Sequence, residues 1–203
     1  MVTIVMRSKT CVIKKGGEGL KDVLAEVEKI SNYNELPKKQ TLRLSLLAEE
    51  LVGMLPELVK NFEGSFWIQS KGNQYELHVE LLVDSLSKER KEALIEVSAN
   101  KKNAASTGFM GKIRDIAENM LLRSEEDFGE VYAIDQEYLT DYQSFDYHYS
   151  YAWTLNNYVS QKQESTDTAA WDELEKSIVA KLADDVIVGV RGKNVEIVIK
   201  KEF

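Results

Sequence analysis

Glu50 is the residue whose position most strongly suggests chemistry. It lies in a helical pattern over Leu42–Val59, whose apolar stripe consists of Leu46, Leu47, Leu51, Met54 and Leu58. At about 100° per residue, Glu50 falls inside this stripe, within about 60° of Leu47. A carboxylate among apolar side chains needs a partner, hydrogen bonds or a proton. Glu50 is therefore a candidate functional residue, with a structural ion pair or a place at the margin of the stripe as the alternatives.

A second candidate is a short glycine-containing stretch in the middle of the chain. Gly108 and Gly111 precede Lys112, and the spacing of apolar residues from Ile113 onwards predicts a helix. A flexible backbone at a helix N-terminus, with a lysine beside it, suits a phosphate group. An ordinary turn before a helix contains the same residues, so both interpretations stay open.

Histidine and cysteine, the residues most often used for metal binding and redox chemistry, are rare in this chain. His78 alternates with apolar residues on a predicted strand and His148 lies among tyrosines, and neither has the spaced companions of a zinc site. We therefore expect both histidines at the surface and no metal site. The single cysteine, Cys11, fits a reducing compartment. With no apolar run of about 20 residues and no signal-peptide pattern, we expect a cytoplasmic protein without a membrane span.

The negative charge is concentrated in one stretch, Ser124–Gln161, which we call the acidic segment. The 203-residue chain has a net charge of −8, and this stretch contains no Lys or Arg. Six of the nine tyrosines lie between Tyr132 and Tyr151. The eight acids of the segment are Glu125, Glu126, Asp127, Glu130, Asp135, Glu137, Asp141 and Asp146. Binding of nucleic acid is not expected, because like charges repel phosphate. We expect a basic protein partner here, or an insertion that packs on its own domain.

The remaining patterns predict one α+β domain spanning residues 1–203. Its sheet is expected to be mixed but mostly antiparallel, with helices covering one face in a two-layer sandwich. No internal repeat is evident. The predicted strands are Val2–Lys14, Phe66–Ile68, Tyr75–Val83, Val186–Val190 and Val195–Ile199, and the predicted helices include Leu20–Ile30, Leu42–Val59 and Ala169–Ala183.

This order of elements resembles the histidine-kinase-like ATPase fold, and within it the small anti-sigma-factor serine kinases. The likeness is carried by the apolar helix with paired acids, Leu46–Met54, and by the hairpin Phe66–Val83 that ends in Asp84. The tail from Leu182 to Lys200 is similar to the last helix and hairpin of the family. The likeness covers most of the chain.

The resemblance implies a role for each candidate. Glu50 would be the general base and Asp84 would bind adenine. Gly108, Gly111 and Lys112 would belong to the glycine-rich lid over the phosphates of ATP. If the lid helix is instead Ala169–Ala183, which runs into the last hairpin, these three residues lie in an insertion.

Two departures from the family pattern argue against Mg²⁺-dependent phosphoryl transfer. Met54 stands where the family has an asparagine that holds Mg²⁺, and a thioether is a poor ligand for this hard cation. The stretch Asp84–Lys88 lacks the glycines of the family motif. Two functions follow. The first is an ATP-binding regulatory protein, an ATPase or serine/threonine kinase if active. The second is a degenerate, non-catalytic protein-interaction module on the same fold.

Overall fold

The computed structural model describes residues 5–14, 17–58, 62–83, 151–163, 177–191 and 193–203, together with Ile113 and Ala117. The strands are β1 Val5–Arg7, β2 Cys11–Lys14, β3 Phe62–Lys71, β4 Gln74–Val83, β5 Tyr151–Thr154, β6 Asp185–Arg191 and β7 Asn194–Glu202. The helices of the described part are α1 Leu20–Tyr33, α2 Lys38–Leu58, α3 Leu155–Gln163 and α4 Ile178–Leu182.

The strands form one seven-stranded sheet in the order β1–β3–β4–β7–β6–β5, with β2 also pairing to β3. Every pair among the described strands is antiparallel. Fully buried side chains of α2, including Leu47 and Leu51, belong to one core with Leu77 and Ile197 of the sheet. The predicted α+β class, a mostly antiparallel sheet packed against helices, is confirmed.

The edge strand is broken at one point. Val2–Lys14 was expected to be continuous, but Ser8–Thr10 separates β1 from β2. Ser8 explains how the sheet tolerates the break: its amide donates to the carbonyl of Ile68 at 2.9 Å, and its hydroxyl accepts from the Ile68 amide at 3.0 Å. A side-chain oxygen thus replaces one backbone partner of β3.

Two helices differ from their predicted bounds. α2 begins at Lys38, directly after Pro37, whose carbonyl accepts from the amides of Gln40 and Thr41. Within the predicted helix Ala169–Ala183, Ser177 has an extended backbone, and its hydroxyl accepts from the Ala180 amide at 3.2 Å. This serine caps α4, so the helix starts at Ile178; residues 164–176 lie outside the described part.

The described fold consists of two halves with the same plan. Each half has an edge strand, two described helices and a hairpin: β1/β2, α1, α2 and β3–β4 in the first, and β5, α3, α4 and β6–β7 in the second. In each half the edge strand pairs with the first strand of the hairpin, and β4 and β7 pair at the centre of the sheet. The correspondence is one of topology, and the sequence, in which no repeat is evident, did not indicate it.

The strand register shows that equivalent residues of the two hairpins differ by a constant residue number. Adding 120 to a residue number in β3–β4 gives its counterpart in β6–β7, so that Lys71, beside the first turn, corresponds to Arg191 beside the second. Under this rule His78 corresponds to Val198, and these two residues are directly opposite each other in the β4–β7 pair. The centre of the approximate two-fold arrangement therefore lies between His78 and Val198.

Candidate functional site

Glu50 lies at the margin of the buried face of α2. That face is formed by Leu44, Leu47, Ala48, Leu51, Val52, Met54 and Leu55, whereas Glu50 and Leu46 are only partly buried. The stripe is thus centred closer to Leu44 than the sequence pattern indicated. No hydrogen bond or ion pair joins the Glu50 carboxylate to another residue of the described part. Of the interpretations of Glu50, a position at the margin of the apolar stripe fits the structure better than full burial.

Met54, one helical turn after Glu50, lies in the core. Its side chain is 5% exposed and clusters with Leu51 and Leu55. A thioether among apolar side chains offers no oxygen ligand to Mg²⁺. Within the described ranges, no group of three or more His, Cys, Asp or Glu side chains could hold a metal ion.

The other predicted site residues lie outside the described part of the chain. They are Asp84, Gly108, Gly111 and Lys112, and His148 and residues 124–150 of the acidic segment lie outside it as well. Ile113, which follows Lys112 directly, is helical and buried, as is Ala117 four residues later. These two residues therefore agree with the helix predicted after the glycine stretch. Residues 151–161 form β5 and most of α3, so the end of the acidic segment belongs to the sheet and its helical layer.

His78 is the residue that the sequence analysis misplaced. It was expected at the surface, but its exposed fraction is only 2%. The imidazole stacks on Trp67 of β3, with ring centres 4.8 Å apart and an angle of 12° between the planes. The Arg7 guanidinium lies 4.4 Å from the centre of the Trp67 ring. The alternating pattern predicted that the face carrying Trp67 and His78 is exposed to solvent. The centre of this face is instead covered by packed side chains.

Two carboxylates flank the imidazole. His78 Nδ1 lies 3.1 Å from Glu196 Oε1, within hydrogen-bond geometry. His78 Nε2 lies 3.3 Å from Glu76 Oε2, an ion-pair contact without hydrogen-bond alignment. Glu76 is 7% exposed and also faces Lys200, with Nζ and Oε1 3.6 Å apart. The cluster therefore contains two carboxylates, a lysine and a histidine that can be charged.

The charge state of His78 follows from two opposing effects. Burial by itself lowers the pKa of His78, because the charged form loses its hydration. The hydrogen bond to Glu196, the close contact with Glu76 and the negative charges of both outweigh burial and raise the pKa of His78 above its ordinary value of 6.5. The arrangement can therefore hold a proton inside the sheet.

A signal for this cluster was present in the sequence. Alternation along Tyr75–Val83 places Glu76 and His78 on the face away from the helices, and alternation alone treats that face as solvated. Trp67 lies on the same face, between Phe66 and Ile68, which point to the core. A tryptophan on a supposedly polar face indicates that this face is covered. Its indole N–H is buried with no hydrogen-bond partner in the described structure.

Comparison of the chain with family models, with curated proteins and with solved structures finds no match. Among the described helices, none combines the length and apolar character needed to cross a membrane.

Proposed function

We propose that this protein is a regulatory protein-interaction module that does not transfer phosphoryl groups. The burial of Met54 is the observation that carries the proposal. In the ATPase family that the sequence resembles, the matching asparagine holds Mg²⁺, whereas here a thioether packs beside Leu51. Phosphoryl transfer relies on the metal to align and neutralise the phosphates. A core methionine at this position supports a non-catalytic role.

The expected partner is a basic protein surface. The acidic segment carries eight acids and no Lys or Arg, and the remaining 26 acids balance the 26 bases of the chain. Tyrosine, which is abundant in the segment, is favoured at recognition surfaces because it buries a large area with little loss of side-chain entropy. Attraction between opposite charges speeds encounter and weakens as salt screens it.

Binding of an oligolysine peptide to the purified full chain tests this proposal. We expect binding at low ionic strength that weakens steeply with added salt. Replacing the eight acids of the segment by Asn or Gln should remove most of it. The control variant neutralises eight exposed acids elsewhere: Glu18, Asp22, Glu28, Glu35, Glu49, Glu63, Glu80 and Glu202. Equal loss of affinity in the two variants would mean that net charge, and not this segment, attracts the peptide, and the proposal would be wrong.

Nucleotide binding without hydrolysis is the second candidate function. The observation that favours it is the helical, core-packed Ile113 directly after Lys112, because a phosphate is well placed at the start of a helix. Calorimetric titration with ATP and ADP, with and without Mg²⁺, checks it. Heat of binding that disappears in Lys112→Ala but persists in the exposed-site control Lys21→Ala would support this function; no heat in the unmodified protein would exclude it.

A further inference from the structure

The contacts of the His78 cluster connect the two halves of the sheet. His78 belongs to the first half and its Nδ1 partner, Glu196, to the second. Lys200 belongs to the second half and contacts Glu76 of the first. Under the 120-residue relation, Glu76 and Glu196 are counterparts. Each half therefore supplies one basic group to the equivalent carboxylate of the other half, across the β4–β7 junction.

The two ring nitrogens favour the doubly protonated imidazole. A neutral histidine has one N–H donor and one lone pair. With carboxylate oxygens 3.1 Å from Nδ1 and 3.3 Å from Nε2, a lone pair on either nitrogen would face a negative oxygen. The imidazolium instead presents a positive N–H to both. The stack on Trp67 also suits the charged ring, because a cation is attracted to the face of an indole.

Other charged groups face this region from the neighbouring strands. On the same face lie Arg7 of β1, Glu80 of β4, and Asp185 of β6, which is opposite Lys200. Asp185 is buried and accepts from the amides of Asn156 and Val186. Glu80 is exposed and opposite Glu196. Glu76, His78, Glu196 and Lys200 have further partners as well.

We propose that Glu76, His78 and Glu196 form a buried proton-binding site that joins the two halves of the sheet and links the stability of the fold to pH. The stabilisation is present while His78 carries its proton. Because the pKa of His78 in the folded protein lies above that of the unfolded chain, this stabilisation is complete below about pH 6.5 and is lost as the pH rises through the folded value. The junction between β4 and β7 is then weakened.

Proton NMR of the imidazole ring measures the site directly. The chain contains two histidines, so His148→Gln leaves His78 as the only one. We expect the His78 ring to titrate above pH 6.5, and Glu196→Gln in the same background to lower its pKa. The control Glu80→Gln removes an equal charge from β4 without touching the imidazole. An imidazole that titrates below pH 6.5, or that responds equally to the two substitutions, would overturn the proposal.

Urea unfolding provides a second, independent test. For the unmodified protein and the same two Glu variants, urea midpoints are compared from about pH 6 to about pH 9, a range that begins below the ordinary pKa of histidine and ends well above it. Glu196→Gln should lower the urea midpoint more at the acid end than at the alkaline end. The reason is that Glu196 stabilises the imidazolium form of His78, which is present only at the acid end. The loss caused by Glu80→Gln should not follow this trend. A Glu196→Gln effect that is constant across the range would show that the carboxylate does not stabilise a proton on His78.

Discussion

Three kinds of contact hold His78 in place. They are the aromatic stack on Trp67, the hydrogen bond to Glu196 and the ion-pair contact to Glu76. Glu50, by contrast, is partly buried on α2 and has no hydrogen-bond or ion-pair partner in the described part. Neighbouring charges, hydrogen bonds and burial determine whether a titratable side chain holds its proton. At the scale of single residues, the proton-holding centre is therefore the histidine of the sheet.

Met54 allows a direct test of how α2 is packed. Met54→Asn restores the residue type of the resembled family, but it places an amide in an apolar core. We expect the free energy of unfolding to fall by roughly 2–4 kcal/mol, from lost apolar burial and an amide without partners. The nearly isosteric Met54→Leu should cost less than about 1.5 kcal/mol. Both are measured by urea denaturation, and equal stability of the two variants would contradict a core position for residue 54.

At the scale of elements, sequence patterns predicted whether a segment is a strand or a helix better than they predicted its first and last residues. Both hairpins and α2 follow from alternation and helical spacing. The break in the edge strand and the start of α4 depend on single serines: Ser8 bonds across to Ile68, and Ser177 caps α4. A serine is compatible with a strand or a helix as well as with a break. The hydrogen-bond partner of the hydroxyl decides the outcome; it lies on another strand for Ser8 and three residues along the chain for Ser177.

Two glycines in different elements should respond to alanine in opposite ways. Gly53 is exposed on α2, and an added Cβ would meet nothing within 4 Å. Gly53→Ala should raise the free energy of unfolding by roughly 0.5–1 kcal/mol, because glycine loses more backbone entropy in a helix. In Gly64→Ala of β3, the new Cβ would lie 2.5 Å from Leu81 Cδ2 and 2.9 Å from the Glu80 carbonyl oxygen. We expect that substitution to cost about 1–3 kcal/mol.

Thermal and urea unfolding of the two variants under the same conditions check this pair. The sign of each change matters more than its size. Stabilisation by Gly64→Ala would mean that β3 and β4 are less closely packed at this point. A loss of stability in Gly53→Ala would place the exposed side of α2 against another part of the protein.

At the scale of the whole molecule, the sheet is organised around the β4–β7 pair. The packing of helices against a sheet could be predicted from the sequence because each element carries its own apolar face. The sequence did not predict the relation between the halves, since most equivalent positions hold different residues, as His78 and Val198 do. The polar cluster was missed for a related reason. Glu76 and Glu196 are 120 residues apart in the sequence, and only the register of β4 on β7 brings both to the imidazole.

The roles that the resemblance implied for ATP binding stay predictions, because Asp84, Gly108, Gly111 and Lys112 lie outside the described part. Glu50 and Met54 lie within it, and the proposal that this protein does not transfer phosphoryl groups is based on their environments. Glu50 is partly buried with no hydrogen-bond or ion-pair partner among the described residues, and Met54, one turn later, packs in the core. Phosphoryl transfer requires a positioned base and a metal ion, so these two environments are the basis of the proposed non-catalytic role.

The most direct test of this central claim is the rate of ATP hydrolysis by the purified full-length protein in the presence of Mg²⁺. The same preparation of Glu50→Ala serves as the matched control, since partial exposure of Glu50 makes the substitution compatible with folding. We predict that the two proteins release phosphate at the same background rate. Turnover that requires Mg²⁺ in the unmodified protein and disappears in Glu50→Ala would contradict the claim and identify an enzyme.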